Sequence, residues 1–314
     1  MTESKTAVYG AIAANIGIAI TKFVVAGLTG SSAMLSEGIH STVDAGNGVL
    51  LLIGLRLSQR KATPRHPFGH GKELFVWSLI VAVLIFGVGG GVSAYEGVLH
   101  ILQRRPVGDP FWGYVVLASA SVFEGASLAV ALRAFLRQKG ERPFWDALYS
   151  SKDPVAYTIV AEDSAALLGL IIAAAGVWAS HRFDMPAADG IASVLIGAVL
   201  AGVAVLLIRE ARGLLIGEGI RPETERDIRA LVLADQRVRA VGSILSMYIG
   251  PDEVLLTLDV EFDPQVTAND IAQGVNRIEH EIRERYPKIR RIYLEARALR
   301  TRTQQDTRAA DARV

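Results

Sequence analysis

The sequence predicts an all-α six-helix transmembrane domain followed by a small cytoplasmic α+β domain of order αββαβ. Three observations predict it. Of 314 residues, 51% are hydrophobic, and the mean hydropathy of +0.32 is high for a soluble protein. The apolar residues gather in long runs before about residue 216, while charges crowd the remainder. Beyond Arg221 the apolar spacing becomes that of short strands and amphipathic helices. The expected division is six spans over 1–212, the αββαβ domain over 213–296 and a charged, disordered tail over 297–314.

Six candidate spans occupy 6–28, 33–56, 73–100, 111–137, 155–180 and 188–210. Each reaches the roughly 20 residues that a bilayer core requires. The N-terminus lacks the short apolar core and small-residue cleavage site of a signal peptide, so the first run is expected to remain as a membrane helix. The third span contains Gly87-Val88-Gly89-Gly90-Gly91, a composition that allows close backbone approach between helices.

Basic residues set the orientation. Arg56, Arg60, Lys61, Arg65 and Lys72 lie between spans two and three; Arg133, Arg137, Lys139, Arg142 and Lys152 lie between spans four and five. The opposite side carries fewer, chiefly the Arg104-Arg105 pair and Arg182. The positive-inside rule then puts both termini in the cytoplasm of an integral, multi-pass protein, expected in a bacterial plasma (inner) membrane.

In the soluble part, Pro222 to Gln236 reads as a helix with an acidic first turn. Arg239 to Ile249 reads as a strand, and Gly250-Pro251-Asp252 as a turn. Val254, Leu256, Leu258, Val260 and Phe262 alternate with polar positions, the mark of a half-buried strand over Glu253 to Phe262. Thr267 to Tyr286 is a second helix, with Ile271, Val275, Ile278 and Ile282 on one face, and Ile289 to Glu295 a last strand.

The second span carries the chemistry. His40 and Asp44 are four residues apart in an otherwise apolar stretch, so on a helix they share one face. Ionisable groups at membrane depth are costly and mark ion pathways. A nitrogen and an oxygen ligand together suit a divalent transition metal. The chain has no cysteine, which excludes disulfides and thiolate metal sites. Its net charge of +1 names no partner and gives no ground for a nucleic-acid ligand.

Several motifs in register resemble the cation diffusion facilitator family, over about residues 7–296. Asn15 and Lys22 match its first-span pattern, Gly30 to Ser41 the start of its second span, His66-Pro67-Phe68-Gly69-His70-Gly71-Lys72 its loop before span three, and Asp189-Gly190-Ile191-Ala192-Ser193 the start of span six. Glu162 to Gly169 is most similar to the branch that includes the mammalian zinc transporter-nine proteins. The resemblance implies a homodimeric metal–proton antiporter, exporting Zn²⁺, Fe²⁺, Mn²⁺ or Co²⁺ from the cytoplasm. It implies a secondary transporter rather than an enzyme, with the metal as cargo and no cofactor. It also implies that the αββαβ domain dimerises.

Carried over from the family, the transport ligands are His40 and Asp44 from span two and Asp163 from span five. The usual second span-five ligand falls at Ile159, which cannot bind metal; either Glu162, about 100° around the helix from Asp163, or a water completes the shell. A peripheral site would use His66 and His70, but its customary aspartate is Thr63 here. The soluble domain has His280 as its only histidine, against several in zinc-binding relatives.

Each signal has a competing structural reading. His40 and Asp44 could be a hydrogen-bonded pair between helices, and Glu162 and Asp163 a wet helix end. His66 and His70 could serve interfacial packing and capping. Lys22 is expected to snorkel to the outer interface. Asn15 either bonds a neighbouring helix or lines the pathway. Glu96 and Glu124 are lone acids, either proton relays or interfacial; His100 and His181 read as loop or helix-end residues. As a whole, the rivals to a transporter are a membrane-embedded metalloenzyme and a non-transporting scaffold.

Overall fold

The computed structural model describes residues 2–103, 110–139 and 154–296, with side chains over 15–103, 110–133, 136 and 157–296. Arg104, Arg105, Arg142, Lys152 and the tail over 297–314 lie outside the described residues. The chain divides into two compact units between Leu215 and Ile216.

The first unit is helical throughout its long elements. They are α1 (Thr2–Thr29), α2 (Ser32–Ser58), α3 (Glu73–Leu84), a π-helical segment (Ile85–Val92), α4 (Ser93–Gln103), α5 (Phe111–Lys139), α6 (Pro154–Arg182) and α7 (Ala187–Ile216). Each expected span lies inside one of these stretches. Among the described residues, four stretches are long and apolar enough to cross a membrane: Glu73–Gln103, Phe111–Arg133, Tyr157–Arg182 and Ala187–Ile216. Asn15–Thr29 is apolar but shorter over its described side chains. The difference from expectation is α2. It has 27 residues, about 40 Å of helix at 1.5 Å per residue, yet it is too polar to rank with the others. Its Ser32, Ser36, Glu37, His40, Ser41 and Asn47 are buried against other helices rather than facing lipid.

The turn from α1 to α2 uses Gly30, whose φ of 70° places it in the left-handed region. Its N–H bonds Ala26 O at 2.8 Å, closing α1 with a glycine cap. Ser31 then caps α2, its hydroxyl accepting from Met34 N. In the third span Gly90 makes the close backbone approach, against α7, while a Cβ on Gly87 would meet nothing within 4 Å. A Cβ on Gly97 would lie 2.6 Å from Gly190 O, and one on Gly197 would lie 2.8 Å from Gly90 O. Small residues at two levels thus bring these backbones into contact, the membrane mode of helix packing. Outward faces are apolar: Ile16, Ile20, Val24 and Leu28 form an exposed stripe along α1.

The second unit follows the predicted order: α8 (Pro222–Leu233), β1 (Val238–Gly250), β2 (Glu253–Phe262), α9 (Ala268–Arg285) and β3 (Ile289–Ala296). β2 is central, antiparallel to β1 and parallel to β3. The five alternating residues of β2 are buried, packed with Ile228 and Val232 of α8 and Ile278 and Ile282 of α9. Helix α8 stops short of Gln236, because Asp235 turns the chain by accepting from Arg237 N. Helix α9 starts with a capping box: Thr267 Oγ1 accepts from Asp270 N, and Asp270 Oδ2 from Thr267 N.

Candidate metal centre

A buried polar column runs down one side of α2. Glu37, His40, Ser41, Asp44 and Asn47 recur at three- and four-residue steps, so they share a face. His40 Nδ1 lies 3.4 Å from Asp44 Oδ1, with side chains 2% and 10% exposed. His40 Nε2 and Asp44 Oδ1 have no hydrogen-bond partner among the described residues. Buried polar atoms are nearly always satisfied, so this pair lacks what a purely structural pair would have.

Helix α6 brings the two acids of the fifth span. Glu162 is buried, and its Oε1 accepts from Asn47 Nδ2 at 2.6 Å. Asp163 turns the other way and accepts from Ser127 Oγ of α5 at 2.8 Å. The two carboxylates therefore diverge, as the 100° step between neighbouring helical residues requires. Ile159 is an exposed apolar residue. The wet-helix-end reading does not describe Glu162. Among the described residues, no group of three or more His, Asp or Glu side chains is arranged to hold a metal ion. His40, Asp44, Glu162 and Asp163 stand as one close pair and two separately anchored acids rather than as a closed shell.

Lys22 corrects an expectation. It does not snorkel to an interface. Its side chain is 0% exposed, and Nζ lies 2.9 Å from Glu37 Oε2 and 2.8 Å from Ser41 Oγ. Snorkelling needs a path to water; here a carboxylate one turn from His40 takes the ammonium instead. Glu37 is the residue the sequence reading passed over. Its place at the top of the same stripe as His40 and Asp44 was the available signal. Opposite it, a Cβ on Gly169 of α6 would collide with Glu37 Oε1.

A second polar knot joins the start of α2 to α7. Asp189 is fully buried and accepts from Ser31 Oγ and Ser32 N, both at 2.6 Å, from Ser32 Oγ at 2.9 Å and from Ala33 N at 3.2 Å. A carboxylate at the first amides of a helix is favourable by charge and by bonding. His100, in the last turn of α4, is buried with Nε2 3.9 Å from Asp189 Oδ2. One level down, the Ser36 and Ser193 hydroxyls bond each other, and Ser193 Oγ also donates to Ser93 O at 2.8 Å.

The remaining candidates separate. Glu124 of α5 is buried and Glu96 half-buried. The His66 and His70 rings lie 4.4 Å apart in the loop before α3. Thr63, standing where the family pattern has aspartate, pairs with the His66 backbone in both directions at 3.1 and 3.0 Å. His181 ends α6, and His280 is exposed on α9, 3.5 Å from Glu284.

The chain is similar to several known proteins. The cation efflux transmembrane domain family matches residues 8–216. The chain is 35% identical over 268 residues to the human "Proton-coupled zinc antiporter SLC30A9, mitochondrial", covering 84% of this chain and 47% of that protein. It is 31% identical over 279 residues to "Metal tolerance protein C4" of Arabidopsis thaliana, covering 88% of this chain and 61% of that one. The chain thus spans about half the length of the human relative. Among solved structures, a MamM CTD in a nickel form is 15% identical and covers 26% of this chain and 100% of its own, at a TM-score of 0.24. The transmembrane helices, the buried His40–Asp44 stripe and the match over 8–216 together establish that this membrane protein belongs to the cation diffusion facilitator family of cation efflux proteins, a family of transporters rather than enzymes.

Proposed function

We propose that the protein exports divalent metal ions from the cytoplasm in exchange for protons, working as a homodimer. The observation that carries this reading is that His40 Nε2 and Asp44 Oδ1, on one buried face of α2, have no hydrogen-bond partner among the described residues. Both ligand types bind metal only when deprotonated, so metal and protons compete for the same atoms. Facing a neutral cytoplasm, the pair takes a cation. Opening toward a more acidic side, it accepts protons and releases the cation. Rocking of one helix group against another supplies the alternation. Asp163 and Glu162 complete the site from α6.

The names of the relatives support zinc and proton coupling by analogy: the human one is called a proton-coupled zinc antiporter. In this reading, 1–212 is the cation efflux domain, 213–296 the cytoplasmic dimerisation domain and 297–314 a disordered tail. Both termini are cytoplasmic, in a bacterial inner membrane. The loop pair His66 and His70 serves packing, supported by Thr63 holding His66 where a third ligand would stand.

The test is flux in proteoliposomes with Zn²⁺, Fe²⁺, Mn²⁺ and Co²⁺, reading metal uptake and counter-flow of protons together. Metal-stimulated proton movement is expected. Absence of flux for all four metals overturns the proposal and favours a scaffold or a membrane-embedded metalloenzyme.

A further inference from the structure

The position where the family pattern has a second span-five ligand is Ile159, which offers no donor atom. A buried amide beside Glu162 comes instead from α2. Asn47 is 1% exposed, and its Nδ2 donates to Glu162 Oε1 at 2.6 Å. With Glu162 as a carboxylate, this bond orients the amide: reversed, it would set a carbonyl oxygen against a carboxylate oxygen. Asn47 Oδ1 is therefore the free end, and it has no hydrogen-bond partner among the described residues.

Asn47 follows Asp44 by three residues and His40 by seven, so all three lie on one stripe. His40 turns Nδ1 toward Asp44, which leaves Nε2 as the lone-pair nitrogen. Three successive turns of α2 thus carry three buried acceptors: His40 Nε2 and Asn47 Oδ1 with no hydrogen-bond partner among the described residues, and Asp44 Oδ1 with only the His40 Nδ1 contact at 3.4 Å. Acceptors cannot satisfy one another. A hydrogen-bond donor or a cation can.

We propose that Asn47 is a specificity-determining residue of the transport site, its Oδ1 offering a neutral oxygen ligand to the divalent cation while its Nδ2 holds Glu162 beside it. The proposal rests on reading this stripe as the cation path. An amide oxygen is a hard donor that adds no charge to a site already holding the carboxylates of Asp44, Glu162 and Asp163. It favours Mn²⁺ and Fe²⁺ over Zn²⁺ relative to an imidazole at the same place.

The test uses the full chain in detergent and in proteoliposomes, with Mn²⁺ and Zn²⁺ each as the sole metal. Asn47→Leu is expected to weaken Mn²⁺ binding by about 10–100-fold and Zn²⁺ binding less, lowering the Mn²⁺-to-Zn²⁺ affinity ratio. Asn47→His is expected to lower that ratio further by raising Zn²⁺ affinity. Unchanged affinities in Asn47→Leu overturn the proposal. So does an equal loss for both metals, which marks Asn47 as a support for Glu162 and nothing more. If Asn47→Leu does not fold, the ratio in Asn47→His decides alone: unchanged, it overturns the proposal. Wild-type protein that binds both metals but moves neither overturns the transport reading, while the binding ratios still decide the role of Asn47.

Discussion

Lys22 Nζ lies 2.9 Å from Glu37 Oε2, and both side chains are wholly removed from solvent. The pair ties α1 to α2 one turn above His40 and two above Asp44. An ammonium and a carboxylate in such a place compensate each other; neither is tolerable there alone.

Removing one partner is therefore expected to cost more than removing both. Lys22→Met leaves Glu37 as an unpaired buried acid and should destabilise the protein by about 3–5 kcal/mol. Lys22→Met combined with Glu37→Met should recover most of that loss, since well-packed apolar residues often replace a buried pair without penalty. Thermal melting in detergent reads both. A double variant less stable than the single one would show that the pair is not the source of the effect.

Gly169 faces Glu37 Oε1 so closely that a Cβ collides with it. Gly169→Ala should push the carboxylate off Lys22 and cost about 1–3 kcal/mol by overpacking. The same substitution in a Glu37→Ala background should cost little, because the colliding oxygen is gone. Equal melting shifts in the two backgrounds would place the collision elsewhere.

Asp44→Ala is expected to reduce metal flux to the level of empty vesicles while expression and assembly persist. Glu162→Gln should impair flux more than Ile159→Ala, since Glu162 is buried against Asn47 and Ile159 is exposed. Flux by Asp44→Ala near that of wild type removes the site assignment. Equal flux by Glu162→Gln and wild type leaves Glu162 outside the site.

In the soluble unit, the side-chain bond from Thr267, followed by its backbone N–H, holds the Asp270 carboxyl below its ordinary value of 3.8. A depressed folded value means that the cap's stabilisation is present above the unfolded value and is lost as pH falls through the folded one. Amides in the first turn of α9 should therefore keep their hydrogen-exchange protection near neutrality and lose it below about pH 4, the range of an ordinary aspartate. Thr267→Ala should abolish the pH dependence. Protection that is flat with pH in wild type would show that the capping box contributes nothing there.

Much of this molecule follows from local sequence physics. Apolar run length fixes the helical stretches, because an isolated span must satisfy its own backbone in lipid. The alternation Val254, Leu256, Leu258, Val260, Phe262 fixes β2 and its buried face, because a strand repeats every two residues. The four-residue step from His40 to Asp44 fixes their shared face, because a helix repeats every 3.6.

What only tertiary structure decided is the set of partners each polar group found across helices. Lys22 read as a snorkelling residue because its own span is apolar; Glu37, fifteen residues on, makes it an internal cation. Glu162 and Asp163 read as two candidate ligands about 100° apart on one helix; packing gives each its partner, Asn47 of α2 for Glu162 and Ser127 of α5 for Asp163. Asp189, read as the start of a span, caps a different helix at Ser31 to Ala33. Period and composition are properties of one segment, legible without its neighbours. The partner of a buried charge is a property of two segments brought together, and no spacing within either one records it.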